Sequence, residues 1–298
     1  MICVEKLKKT FSDVIALEDL SFTVKKSSLY GLIGHNGAGK TTLLKTIAGI
    51  YQADAGSVEV DGEDVFDNEQ IKRKIFFIPD EHYFLPYATM NIMASFYKGF
   101  YPHWSDKTYK KLSEIFELAA TKRIHSFSKG MQQQVAIILA LATRPDYLLL
   151  DECFDGLDPI KRSLVRQLLT EMMADKEMSI VISSHNVREL EDLCDSIGVM
   201  NNKRIIYDSS LCEMREKVNK YRVAFKKAIT ADAFAELACK NITIDGRVAT
   251  FIATGFSADI KKQLAPLEPA LVQVIPLTLE EIFLSEMEEK DYDFKDII

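Results

Sequence analysis

"LYGLIGHNGAGKTTLLKTIAG", residues 29–49, decides how the chain folds. It reads as an apolar strand, a glycine-rich turn and a segment of helical period, so a strand feeds a helix through a tight loop. Gly34, Gly37 and Gly39 followed by Lys40 and Thr41 fit GxxxxGK[ST] in the context that this spacing requires. The glycines let the backbone turn tightly, so its N–H groups and the next helix's N-terminus wrap an oxyanion. Asn36, Gly37, Gly39, Lys40, Thr41 and Thr42 are therefore the candidates for holding a nucleotide. Lys40 would reach the terminal phosphates, and Thr41 would place its hydroxyl on Mg²⁺.

A second stretch, "YLLLDECFDGLD", residues 147–158, runs from apolar residues into Asp151, Glu152, Asp155 and Asp158. Alone it reads as a polar loop closing an apolar strand. Beside a phosphate loop, Asp151 becomes the residue that holds Mg²⁺, mostly through water, and Glu152 the residue that orients or deprotonates the attacking water. Asp155 is expected to be a turn residue.

At 298 residues the chain is long enough for two domains of unequal size, and its 47% hydrophobic and 27% charged content is that of a globular protein. Its longest apolar run, "VAIILALA", is too short to span a membrane. Residues 1–9 alternate like a strand and lack the order of a secretory signal, so a cytosolic location is expected. Five cysteines, an odd number without a CxxC pair, predict reduced, packed thiols. The net charge of −7 argues against a duplex nucleic-acid partner.

Residues 1–215 alternate β-branched runs with helical segments, the order of an α/β domain with a largely parallel sheet. "SVEVDGEDV" adds an antiparallel hairpin around its Asp-Gly turn. Residues 216–298 change character. After the charged helix "SLCEMREKVNK" the order is βαββαβ over about 220–276, with a helix at "ADAFAELACK", which suggests a small α+β ferredoxin-like unit. The tail "TLEEIFLSEMEEKDYDFKDII" begins as an amphipathic helix.

Together these residues resemble the nucleotide-binding subunit of ABC transporters over nearly all of residues 1–200. "FSKGMQQQ", residues 127–134, is similar to the family's signature motif, with Ser128 and Gly130 at its polar and glycine positions. The resemblance implies a P-loop NTPase fold with a helical subdomain over about 84–143, ATP and Mg²⁺ as ligands, and a dimer in which each signature faces the other copy's γ-phosphate. It places His185, in "ISSHNVRELEDLCD", as the switch histidine on the γ-phosphate. Asp158 would link the two sites, while a helix N-cap before Pro159 is an equally good local reading. Phe11 would stack on adenine or else be a core phenylalanine. Three positions depart from the family pattern: Asp80 stands where a metal-touching glutamine is usual, Cys153 where a proline is, and Gln134 where an arginine is. Asp80 would then bind the metal directly or through water.

The implied function is an ATPase subunit that drives separate transmembrane permease subunits from the cytoplasmic face of the membrane, paired with a second copy or a paralogue. The additional C-terminal unit resembles those of bacterial exporters of peptides, lantibiotics or drugs. The alternatives are a soluble ABC ATPase outside transport and a nucleotide-gated regulatory subunit. The aromatic stretch over residues 80–104 suits either a groove for a partner's helix or the packing of the helical subdomain.

Overall fold

A computed structural model describes residues 1–234, 237, 239–254, 257–275 and 277–281, in two compact units, Met1–Asp208 and Ser209–Ile298. The division falls before residue 215, because the helix Leu211–Lys217 goes with the second unit. No helix of the described residues is long and apolar enough to cross a membrane.

The strands that build the first unit are β1 (Ile2–Phe11), β2 (Val14–Val24), β3 (Leu29–Ile33), β4 (Ala55–Val60), β5 (Glu63–Asp64), β6 (Ile75–Ile78), β7 (Tyr147–Asp151), β8 (Ser179–Ser184), β9 (Ser196–Asn201) and β10 (Arg204–Ser210). Antiparallel pairing gives one sheet, in the order β2-β1-β4-β5. The β4–β5 hairpin turns at Asp61 and Gly62, both at positive φ (56° and 84°), as the Asp-Gly pair dictates. A second sheet runs β10-β9-β3-β8-β7-β6, with β9, β3, β8, β7 and β6 parallel. Every residue of β3, β7 and β8 is buried, which explains their continuous apolar runs. Leu17 and Leu20 of β2, Leu32 of β3, Leu149 of β7 and Leu43, Leu44 and Ile47 of the helix Lys40–Ile47 share one core. Each such side chain contributes about 1.5–3 kcal/mol.

Register matters most for function. Ile33 stands opposite Ser184, and Asp151 opposite Ser183, so β3, β7 and β8 end together. Loops after those ends share the edge where parallel sheets bind ligands. Between β6 and β7 lie the helices Met90–Lys98, Asp106–Ile115 and Lys129–Thr143, capped by Thr89, Ser105 and Ser128.

The second unit forms its own antiparallel sheet from β11 (Val218–Phe225), β12 (Cys239–Asp245), β13 (Val248–Thr254) and β14 (Pro269–Ile275), in the order β12-β13-β11-β14. Tyr221 stacks on Phe251 with centroids 5.6 Å apart, and Phe234 packs beside them. Within the helix expected over 231–240, Ala231–Phe234 form a 3-10 turn and Cys239 is already in β12 opposite Ala253; residues 235, 236 and 238 lie outside the described residues. Sheet pairing has overridden helical propensity there. At the start of the tail, Glu281 N–H donates to Thr278 Oγ1 at 3.1 Å and Thr278 N–H to Glu281 Oε2 at 3.0 Å, a capping box. The rest of the expected tail helix lies outside the described residues.

Among the described residues no cysteine is in a disulfide; Cys153 and Cys194 are buried, whereas Cys212 is exposed, against the expectation that all five are packed.

Candidate nucleotide-hydrolysis site

The loop 34–39 closes onto the helix Lys40–Ile47, whose N-cap is Gly39, at φ 112°. A Cβ at Gly39 would come within 2.8 Å of Ala16 O, so both conformation and space demand glycine. No side chain caps this helix, which leaves its first-turn N–H groups to an anion. Asn36 and Gly37 are exposed at the rim, and Thr41 is exposed beside half-buried Thr42.

Lys40 is buried to 5% exposure, and its ammonium donates to Gly34 O at 2.6 Å and His35 O at 3.3 Å. It also lies 3.0 Å from Glu152 Oε1 as an ion pair without hydrogen-bond alignment. The opposite carboxylate oxygen, Oε2, accepts from His185 Nδ1 at 2.9 Å and from the His185 N–H at 3.2 Å. The structure thus brings Lys40, Glu152 and His185 together although they come from the ends of three strands. Glu152 has φ 49°, an uncommon backbone for a non-glycine residue, and its N–H is held by Ser183 Oγ at 3.1 Å and Ser183 O at 3.2 Å.

Asp151 is fully buried. Its Oδ1 accepts from Ser183 Oγ at 2.6 Å, and its Oδ2 is buried without a hydrogen-bond partner. Burial raises the carboxyl above the ordinary range, the Glu152 and Asp80 charges add to this, and the Ser183 and Thr41 hydroxyls oppose it. A buried, unpartnered carboxylate oxygen among other acids fits a divalent cation, with the Thr41 hydroxyl beside it. Asp80 lies in the bend after β6, exposed, and its side chain acts on Asp151 through charge.

Four further residues fall elsewhere. Ser128 caps the helix Lys129–Thr143 by accepting from Met131 N–H at 3.3 Å. Gly130 is pressed against Gly156, where a Cβ would stand 2.4 Å from the carbonyl oxygen. Asp158 accepts from Lys161 N–H at 2.9 Å and caps Pro159–Lys176, with the proline in the first turn, so the local reading of this residue holds. Phe11 is 40% exposed at the end of β1 and meets Tyr51 edge-on at 5.0 Å, so it is not a core phenylalanine.

Several supporting residues escaped the sequence reading. Ser183 holds both acidic residues, and the "SSH" ahead of the histidine was its only signal. Glu189, 5% exposed, accepts from Ser184 Oγ at 2.8 Å and pairs with Arg162 at 2.9 Å, which anchors the segment after His185. Gln133 and His82 form a further hydrogen-bonded link to the same turn.

Comparison with known proteins agrees with this geometry. The family model described as ABC transporter matches residues 17–155. The ABC transporter ATP-binding protein YtrB of Bacillus subtilis is 30% identical over 286 residues, 96% of this chain and 97% of its own length. The bacitracin transport ATP-binding protein BcrA of Bacillus licheniformis is 29% identical over 221 residues, 72% of this chain and 71% of its own. A solved structure of an ATP-binding subunit of an ABC transporter superposes with a TM-score of 0.67 at 28% identity, covering 72% of this chain and 92% of that one. The chain belongs to the ATP-binding proteins of ABC transporters, a family that binds nucleotide and hydrolyses ATP.

Proposed function

We propose that the chain is the ATP-hydrolysing subunit of a bacterial exporter, works at the cytoplasmic face of the membrane, and closes with a second copy or a paralogue around two ATP molecules. The observation that carries this reading is the meeting of Lys40, Asp151, Glu152 and His185 at one sheet edge. ATP-binding subunits of this family dimerise and work with transmembrane subunits. Among the described residues no hydrogen bond joins residues 127–131 to the phosphate loop of the same chain, which suits a signature motif that serves a partner's site. BcrA is named for bacitracin transport, which supports a cargo of that kind, and the C-terminal unit, ferredoxin-like in this reading, supports export.

In this mechanism Lys40 exchanges its carbonyl and Glu152 partners for the terminal phosphates. Glu152, freed on that side and still held by His185, turns a carboxylate oxygen to the attacking water and takes its proton. His185 keeps the carboxylate aimed and contacts the γ-phosphate. Thr41, Asp151 and Asp80 would hold Mg²⁺, which when bound neutralises charge on the phosphate oxygens. The exposed Phe11 supplies an apolar face for adenine. Asp158 would reach across the dimer from the turn that it caps.

In this reading a transmembrane partner docks on the helical subdomain. Phe96 and Phe100 are exposed on the helix Met90–Lys98 and just beyond it, and with Tyr97, Tyr101, Lys72 and Arg73 they line a groove of about 290 Å³. Co-purification with membrane proteins, followed by reconstitution in vesicles, tests the reading. ATP hydrolysis by the complex is expected, with Asp80→Gln changing only its stimulation by partner or cargo. Full-rate hydrolysis by the chain alone, with no membrane partner recovered, would overturn transport.

A further inference from the structure

We infer that His82 is a positioning residue for hydrolysis, which acts through Gln133 on the turn that carries Glu152. The inference rests on the role given to Glu152 above. His82 lies two residues past Asp80, in the segment that leaves β6. Its Nε2 hydrogen-bonds Gln133 Oε1, and Gln133 Nε2 donates to the Cys153 carbonyl at 2.9 Å. Cys153 follows Glu152 directly and is fully buried, and Gln133 is only 5% exposed.

The chemistry of the chain fixes its direction. Because the Gln133 amide nitrogen is engaged by a carbonyl, its oxygen must accept, so Nε2 of His82 carries the proton. Glu152, at φ 49°, occupies a backbone region that a non-glycine residue keeps only when its surroundings hold it there. Ser183 fixes the entry to that turn at the Glu152 N–H, and Gln133 fixes the exit at the Cys153 carbonyl. Without the His82 donor the Gln133 amide is free to rotate, and the exit loses its anchor. Segment 79–84, the helix behind the signature and the Glu152 turn thereby share one hydrogen-bonded link, so a displacement of the first reaches the third.

Steady-state hydrolysis of MgATP by the full chain tests this with His82→Phe, His82→Gln, Gln133→Leu and the double variant His82→Phe/Gln133→Leu. Phe keeps the ring and removes the donor; Gln places an amide nitrogen about where Nε2 stands. The expected result is a kcat about tenfold lower in His82→Phe with KM for ATP changed less than about twofold. His82→Gln should recover most of that loss. The double variant should be no slower than Gln133→Leu alone, since both remove one link. Wild-type kcat in His82→Phe, an equal loss in the Phe and Gln variants, or multiplied losses in the double variant would overturn the inference. If His82→Phe does not fold, His82→Asn replaces it: its amide is too short to reach, so it should be slow where His82→Gln is not, and equal rates refute the link. Glu152→Gln is run beside them. If it stops turnover while the His82 series is flat, only this inference falls; if it turns over normally, the role of Glu152 falls first and this inference with it.

Discussion

Gly130→Ala offers the sharpest test of how the signature segment is seated. The sequence marks Gly130 as a glycine facing a phosphate, yet the structure gives it a second duty inside its own chain. A Cβ there would stand 2.4 Å from Gly156 O, against an ordinary carbon-to-oxygen contact of about 3.3–3.6 Å, so one backbone must retreat by about 1 Å. Both partners are main chain, and no flexible side chain can give way. Overpacking of this kind costs about 1–3 kcal/mol. For a unit of this size each kcal/mol moves Tm by about 2–4 °C, so the variant should melt about 2–12 °C below wild type. A retreat of about 1 Å at the start of the helix Lys129–Thr143 should also cost up to about a hundredfold in turnover. Calorimetry and phosphate release measure the two effects, with Lys107→Ala, at an exposed position outside the signature, as the control. A Gly130→Ala protein that melts and turns over like wild type refutes the close approach to Gly156.

Other tests address the charges. Asp151 has its carboxyl raised by burial, so in the folded protein it binds its proton more tightly than in the unfolded chain, and stability falls as pH rises from the ordinary carboxylate value through the raised one. Asp151→Asn should therefore raise Tm at neutral pH in the absence of nucleotide and metal while abolishing metal-dependent hydrolysis; a lowered Tm contradicts the burial argument. Asp61, despite the opposing effect of burial, is held well below the usual carboxylate range by Tyr147, the N-terminal ammonium and Lys26. Its contribution is present above the ordinary carboxylate pKa and lost as pH falls below it, so Asp61→Asn should cost about 1 kcal/mol at pH 7, after discounting for its partial exposure, and almost nothing in strong acid. Urea unfolding at the two pH values would show this, and an equal penalty at both would refute it. Tyr30→Phe removes the hydroxyl that donates to Asp208 at 2.9 Å and should cost about 1–3 kcal/mol in the same assay; an unchanged midpoint would show that water replaces the hydroxyl.

Much of this architecture was legible because several strong local signals coincide. The phosphate loop names itself by spacing, the strand before Asp151 by three consecutive leucines, and the hairpin by Asp61 and Gly62, whose positive φ values the pair is suited to adopt. Lys40, Glu152 and His185 could be named, and the family resemblance assigned them to one phosphate site, but their direct contacts depend on the parallel register of β3, β7 and β8, which no local pattern encodes. The supporting residues were hidden for a related reason. Ser183 and Gln133 are ordinary polar residues until tertiary packing buries them at 1% and 5% exposure and aims them at the acidic turn. Gly130 was read as a ligand-facing glycine because its neighbour Gly156 is distant in sequence. In the second unit, "ADAFAELACK" has helical propensity throughout, but pairing of Cys239 with Ala253 claims its end for a strand.

Phosphate release from MgATP by wild type and by Glu152→Gln tests the central claim most directly. Among the described residues Glu152 is the one carboxylate that touches both Lys40 and His185, and the substitution keeps its size while removing its basicity. The expected result is turnover lower by at least about a hundredfold, with ATP still bound. Unchanged turnover in Glu152→Gln would contradict the assignment and move the hydrolytic role away from this turn.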